Sequence, residues 1–235
     1  MFFNRSSVTR GCFLAAGGLA VVSLLSTGIA SANVVENNIS GNNGFTVPTA
    51  NDILLGTTPI QSGGTYFPAD SSLTALTDGI APANPVNANP PEFFGAEDGT
   101  VLTFNLSVTT NINSIVTYTG WQDSGRVNQN YTVSYSTDNG NTYTPLTTVS
   151  YVFSGTSAPP GSSGGGIPAD TEVQLTSNSG PLITGATNLQ FSFANVQNDG
   201  VGYTEIAAYV PEPATLGLVA VGGLGLLLLK RRKAV

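Results

Sequence analysis

Between Asn33 and Tyr209 the chain has no cysteine, no histidine, no lysine and a single arginine, Arg126. Each absence closes a class of chemistry. Disulfides are excluded from this span, since the only cysteine is Cys12. Imidazole and thiolate metal sites are excluded as well. So are Ser-His-Asp and Cys-His nucleophile systems and Schiff-base lysines. Thirteen of the fourteen acidic residues lie here against that one arginine, which leaves a net charge near −12. A body of that sign repels phosphate backbones, so nucleic acid is not a partner. Helical periodicity is nearly absent too, and no internal repeat is found. What remains is carboxylates, hydroxyls, amides, eight tyrosines and one tryptophan, Trp121.

The charge missing from the middle is found at the ends. Arg5 and Arg10 precede an apolar stretch from Phe13 to Leu25, and Ala30-Ser31-Ala32 supplies small residues for signal peptidase. This predicts a signal peptide over 1–32, cleaved before Asn33 after recognition of Ala30 and Ala32. Thr9-Arg10-Gly11 ahead of Cys12 is not a lipidation signal. At the other end, Ala214 to Leu229 is uncharged and is followed by Lys230-Arg231-Arg232-Lys233. As a helix that stretch spans about 24 Å, short of the roughly 30 Å hydrocarbon core. Four glycines weaken it further. The basic cluster would stay cytoplasmic, with the acidic body outside. Two readings follow: a permanent single-pass anchor, or a label that is read and removed. Pro211 and Pro213 keep the preceding segment extended and unpaired, which suits a protease cleft.

Val210-Pro211-Glu212-Pro213, the short apolar run and the basic end together resemble the PEP-CTERM sorting signal. The resemblance implies a bacterial protein handled by an exosortase-type membrane enzyme that cuts near Pro211, Glu212 and Pro213. The chain would be held briefly at the inner membrane by the C-terminal helix and then passed to the cell surface or extracellular matrix. The same tail is described on ice-binding proteins. The body has no regular Thr-x-Thr array, so ice binding is not expected. The expected organisation is a signal peptide over 1–32, a β-sandwich domain over 33–209, and a sorting signal with a short transmembrane segment over 210–235.

The body itself reads as all-β. Short alternating runs are bounded by Gly, Asn, Asp, Ser and Pro. Strands are expected at Thr100–Val108, Ser114–Tyr118, Tyr131–Ser136, Tyr143–Tyr151, Glu172–Ser177, Asn188–Phe193 and Glu205–Val210. Tyr131, Val133 and Tyr135 share one face of their strand, as do Leu189, Phe191 and Phe193 of theirs. Asp138-Asn139-Gly140-Asn141 predicts a hairpin with a type I′ turn. Residues 33–99 are looser, 81–91 must be loop with four prolines, and 154–169 reads as a solvated insertion. Seven such strands suggest a sandwich.

Leu76-Thr77-Asp78-Gly79, Ile115 to Trp121 leading into Asp123-Ser124-Gly125-Arg126, Tyr131 to Asp138, and Tyr203-Thr204-Glu205-Ile206 occur in this order. From about residue 71 they resemble a discoidin, or galactose-binding-like, domain. The resemblance implies an eight-stranded jelly-roll β-sandwich that binds glycans, lipid or protein through loops at one end, and a structural calcium near its start. Asp78 with Gly79 would supply calcium ligands, or Asp78 merely caps a turn. Glu205 is a second candidate ligand. Trp121 is either a sugar-stacking platform or a core plug. Arg126 either binds a sugar hydroxyl or carboxylate, or pairs with Asp123, Asp138 or Glu205 to pin loops. Asn128 and Asn130 would donate to glycan hydroxyls or serve as turn residues. A glycosidase needs two carboxylates, and Glu92, Glu97, Asp98, Asp123 and Glu205 are available, without a recognisable cleft pattern. The expected function is therefore structural or adhesive, at the surface or in a biofilm matrix. The alternative is a carbohydrate-binding module for extracellular polysaccharide; a hydrolase ranks last, and no enzyme activity is expected.

Overall fold

The computed structural model describes residues 33–161 and 166–212. Ala30, Ala32 and the predicted signal peptide, Gly164 and Gly165, Pro213 and the predicted sorting helix lie outside the described residues. Among the described residues no helix is long and apolar enough to cross a membrane.

The body is a jelly-roll-class sandwich of two five-stranded antiparallel sheets. The strands are β1 (Val34–Gly41), β2 (Ile60–Ser62), β3 (Phe94–Ala96), β4 (Val101–Ile112), β5 (Ser114–Trp121), β6 (Gln129–Ser136), β7 (Thr144–Tyr151), β8 (Ala169–Ser177), β9 (Ile183–Phe193) and β10 (Val201–Tyr209). One sheet runs β1-β8-β5-β10-β3 and the other β2-β4-β9-β6-β7. All seven strands expected from alternation are present, most of them longer than expected. The described residues hold ten strands rather than eight, because β1, β2 and β3 arise from the stretch that reads as loose.

The alternation has its expected physical consequence. Phe104 of β4, Tyr131 and Val133 of β6, and Leu189, Phe191 and Phe193 of β9 point inward, onto Val173, Leu175 and Ile206 of the other sheet. Each fully buried large side chain contributes about 1.5–3 kcal/mol. Thr117, Gln129 and Thr171 form one paired polar group inside the sandwich. Thr117 donates to Gln129 at 2.6 Å, and Gln129 donates to the Thr171 hydroxyl at 2.9 Å. The β6–β7 hairpin turns through Asn139 and Gly140, with φ of 59° and 82°, as a type I′ turn requires. Asp138 holds that turn by accepting from the Thr142 N–H at 2.9 Å and the Ser136 hydroxyl at 2.7 Å.

The outward face of the β1-containing sheet is not bare. The segment before β3 lies over it, packing Val47 and Ala81 on Val116 and Tyr118. The insertion is exposed over most of its described residues, as expected, but it is tied down at two points: Ser124 N–H donates to the Ala158 carbonyl and Gly161 N–H to the Asp123 carboxylate, at 3.2 and 2.9 Å. Ala158 is buried as a result.

Candidate functional site

The β5 strand sets two poles. Its start, Ser114, pairs with Tyr209 at the end of β10, while its end, Trp121, pairs with Ala169 at the start of β8. At about 3.3 Å per residue the two poles lie about 23 Å apart.

The Trp121 pole gathers loops 63–73, 122–128 and 194–200. Trp121 is buried, on Phe93, Val127 and Ala169. Its ring lies parallel to that of Phe67, 7° between planes and 6.1 Å between centroids, and meets Phe93 edge-on at 5.2 Å. Phe67 is 45% exposed, so the solvent-facing aromatic of this pole is Phe67, backed by Trp121. Glycines create the room. A Cβ on Gly202 would sit 2.6 Å from the Trp121 ring, and one on Gly95 or Gly200 would collide with Tyr66.

Arg126 pins this pole together, but not through an ion pair. Its guanidinium sits 4.3 Å from the Tyr66 ring centroid and 5.7 Å from that of Trp121. One terminal nitrogen donates to the Asn198 carbonyl at 2.9 Å and the other to the Tyr66 hydroxyl. The expected pairing with Asp123, Asp138 or Glu205 is thus replaced by cation–π stacking and neutral acceptors. Asp138 lies in the hairpin at the other pole, and both Asp123 oxygens are already taken, by Gly125 N–H at 2.7 Å and Gly161 N–H at 2.9 Å. Asn128 is half-buried and accepts from Phe153 N–H at 2.9 Å, joining two loops. Asn130 accepts from the Ser150 hydroxyl across the β6–β7 pair at 3.0 Å. Of the candidate residues, Trp121, Asp123, Arg126 and Asn128 therefore meet at one pole. Phe67, Tyr66 and Asn198 join them without a sequence signal beyond their aromatic or amide character.

Asp78 and Glu205 come together elsewhere, where the 76–80 turn covers β10. Glu205 is fully buried; one oxygen accepts from Gly79 N–H at 2.9 Å and the other has no partner. Burial, with Asp52 and Asp78 nearby, pushes its pKa up to about 9 against the opposing Gly79 and Ile80 backbone N–H groups. Asp52 accepts from the N–H groups of Leu54 and Ala208 at 2.9 and 3.0 Å, and its other oxygen is also buried without a partner. Burial raises the pKa of Asp52 and of the more exposed Asp78 as well. Gly79, at φ 83°, lets the turn bend back over Glu205. Orphaned carboxylate oxygens under a bent turn match the hard-oxygen preference of calcium. Among the described residues no group of three or more acidic, histidine or cysteine side chains forms a metal site. Asp78 itself caps the turn, its Oδ1 accepting from Ile80 N–H at 2.9 Å, and the unpartnered oxygens belong to Glu205 and Asp52.

Residues 210–233 match the PEP-CTERM protein-sorting motif. The chain therefore carries a signal for export and membrane-associated sorting. No curated protein matches the sequence. Solved structures similar to this chain include family 32 carbohydrate-binding modules. The module from C. perfringens NanJ in complex with galactose is 11% identical, covers 68% of this chain and 98% of that one, and has a TM-score of 0.46. The corresponding module of Streptococcus pneumoniae EndoD is 11% identical, covers 68% and 99%, and has a TM-score of 0.45. The lectin domain of lectinolysin complexed with Lewis B antigen is 15% identical, covers 71% and 100%, and has a TM-score of 0.45.

Proposed function

We propose that this chain is an exported bacterial surface or matrix protein, structural or adhesive in role and without enzymatic activity, that holds extracellular polysaccharide at the Trp121 pole. Signal peptidase would release its N-terminus before Asn33, and an exosortase-type enzyme would process the tail. The single observation carrying the adhesive reading is the Phe67 ring, exposed and held flat on buried Trp121. A rigid aromatic face suits the C–H face of a sugar ring at low entropic cost. Asn128 and Asn198 already hold the loops of this pole, through Phe153 N–H at 2.9 Å and the Gly125 carbonyl at 2.8 Å, and so keep the platform in place. Calcium on Asp78 and Glu205 would neutralise the buried carboxyl and fasten the 76–80 turn to β10.

One observation favours a purely structural role without a defined ligand. Both terminal nitrogens of Arg126 are already committed, to Asn198 and Tyr66. Co-sedimentation of the protein with exopolysaccharide from the producing cells separates the two readings. The glycan reading expects binding that weakens about tenfold in Phe67→Ala with an unchanged fold, the scale of one lost aromatic contact. Undiminished binding in that variant removes the Phe67 platform. Absence of any binding, with altered cell clumping on deletion, leaves the structural role.

A further inference from the structure

The sorting motif begins at residue 210, and β10 ends at Tyr209, so no linker separates label from fold. The first motif residue is itself part of the fold. Val210 N–H donates to the Asn51 carbonyl at 3.1 Å, and Asn113 N–H donates to the Tyr209 carbonyl at 2.8 Å. Asp52 bridges to Tyr209 from the same side. Pro211 and Glu212 then emerge exposed. Pro211 lies in a shallow cleft beside Thr109, Thr110, Asn111 and Gly185.

Proteolytic clefts take their substrate as extended, unpaired chain, and each residue of chain reaches at most about 3.6 Å. An enzyme cutting close to the Pro-Glu-Pro triplet must therefore come within one or two residues of the sandwich. It meets the rim formed by the β4–β5 and β8–β9 connections. The two connections nearest the tail suit a membrane-embedded partner: residues 109–113 and 177–183 contain no charged side chain, and the acids of this pole, Glu36 and Asp138, sit on β1 and the β6–β7 hairpin to either side. The opposite pole carries Asp70, Glu97, Asp98, Asp123 and Asp199.

We infer that the Val210 pole is the contact surface for the membrane enzyme that processes the tail, and that the hydrogen bonds of Val210 N–H to Asn51 and of Asn113 N–H to Tyr209 restrict cleavage to bonds beyond Val210 and slow it. The inference rests on the sorting reading of residues 210–233.

The full chain, produced in a host that contains an exosortase, tests this. Inserting Gly-Ser-Gly-Ser between Tyr209 and Val210 moves the motif clear of the rim and frees it from Asn51. The expected result is precursor loss about fivefold faster than wild type, the change in open population worth one backbone hydrogen bond. Intact mass of the wild-type product should place its C-terminus after Val210. Thr109→Glu and Ser179→Glu, both exposed on the rim, should slow processing, while Ser157→Glu at the far pole should not. Equal rates in wild type and insertion variant, or a product ending before Val210, overturn the restriction. Rim and far-pole variants that behave alike overturn the contact surface. Full-length chain in every variant, with the protein still reaching the surface, overturns the sorting reading together with this one.

Discussion

Glu205 concentrates more of this protein's chemistry than any other single side chain. Its carboxyl holds one hydrogen bond and one unpartnered oxygen in a fully buried position. At neutral pH it therefore carries a proton unless a cation replaces that proton. Calcium at about one hundred times its Kd would add about 2.7 kcal/mol, which for a body of this size raises the melting temperature by roughly 5–10 °C. Glu205→Gln resembles the protonated form. It should melt near calcium-free wild type and fail to respond to calcium. Superimposable melts of wild type with and without chelator would remove the ion. Asp78 and Glu205 were legible because motif and order placed them in one family pattern. Asp52 was not: its partner Ala208 lies 156 residues away, and only the closed sheet brings the two together. Phe67 was equally hidden, in a loop without periodicity, with its backing ring far along the chain.

Strands follow a different rule, since a strand is legible when one of its faces is buried. The β6 and β9 strands alternate because each has a core face, and their sequences announce them. The β1 strand, Val-Val-Glu-Asn-Asn-Ile-Ser-Gly, is an edge strand with its four central residues exposed, so burial imposes no period on it. With three residues each, β2 and β3 are too short for a pattern at all. The insertion over 154–169 reads correctly as solvated, but its ties were not legible, because its anchors Asp123 and Ser124 are remote in sequence. The glycine of β10 at position 202 gives a test of how tightly strand and loop are fitted. Its missing Cβ is the space filled by Trp121. Gly202→Ala must push that ring outward, at an overpacking cost of about 1–3 kcal/mol. Trp121 is the only tryptophan, so its emission reports the displacement directly. The expected outcome is a red-shifted spectrum with a lowered melting temperature. An unshifted spectrum would mean that the ring does not depend on the glycine.

Across the whole body, thirteen acids and one base leave little attraction between charges and much repulsion. Usual acid denaturation, in which paired carboxylates are protonated and lost, has little to act on here. Burial instead raises the pKa of Asp52, Asp78, Asp170, Glu172 and Glu205, the last from 4.5 to about 9. A carboxyl whose folded pKa lies above its unfolded value stabilises the fold fully below the unfolded value, and that contribution is lost as pH rises through the folded one. Asp138 works in the opposite sense. Hydroxyl and backbone donors lower it from 3.8 to about 2, so its contribution is present above 3.8 and disappears as pH falls toward 2. The two trends cross near pH 4–5. With calcium chelated, the melting temperature should peak there and fall steadily toward pH 9, with the slope from pH 4.5 upward reduced in Glu205→Gln. Added salt at pH 8 should recover part of the loss by screening the repulsion. Calorimetric melts across pH 3 to 9 at low and moderate ionic strength measure both effects. A melting temperature that climbs from pH 5 to 9 would mean that the buried carboxyls ionise without penalty, and the cation-shaped demand at Glu205 would go with them.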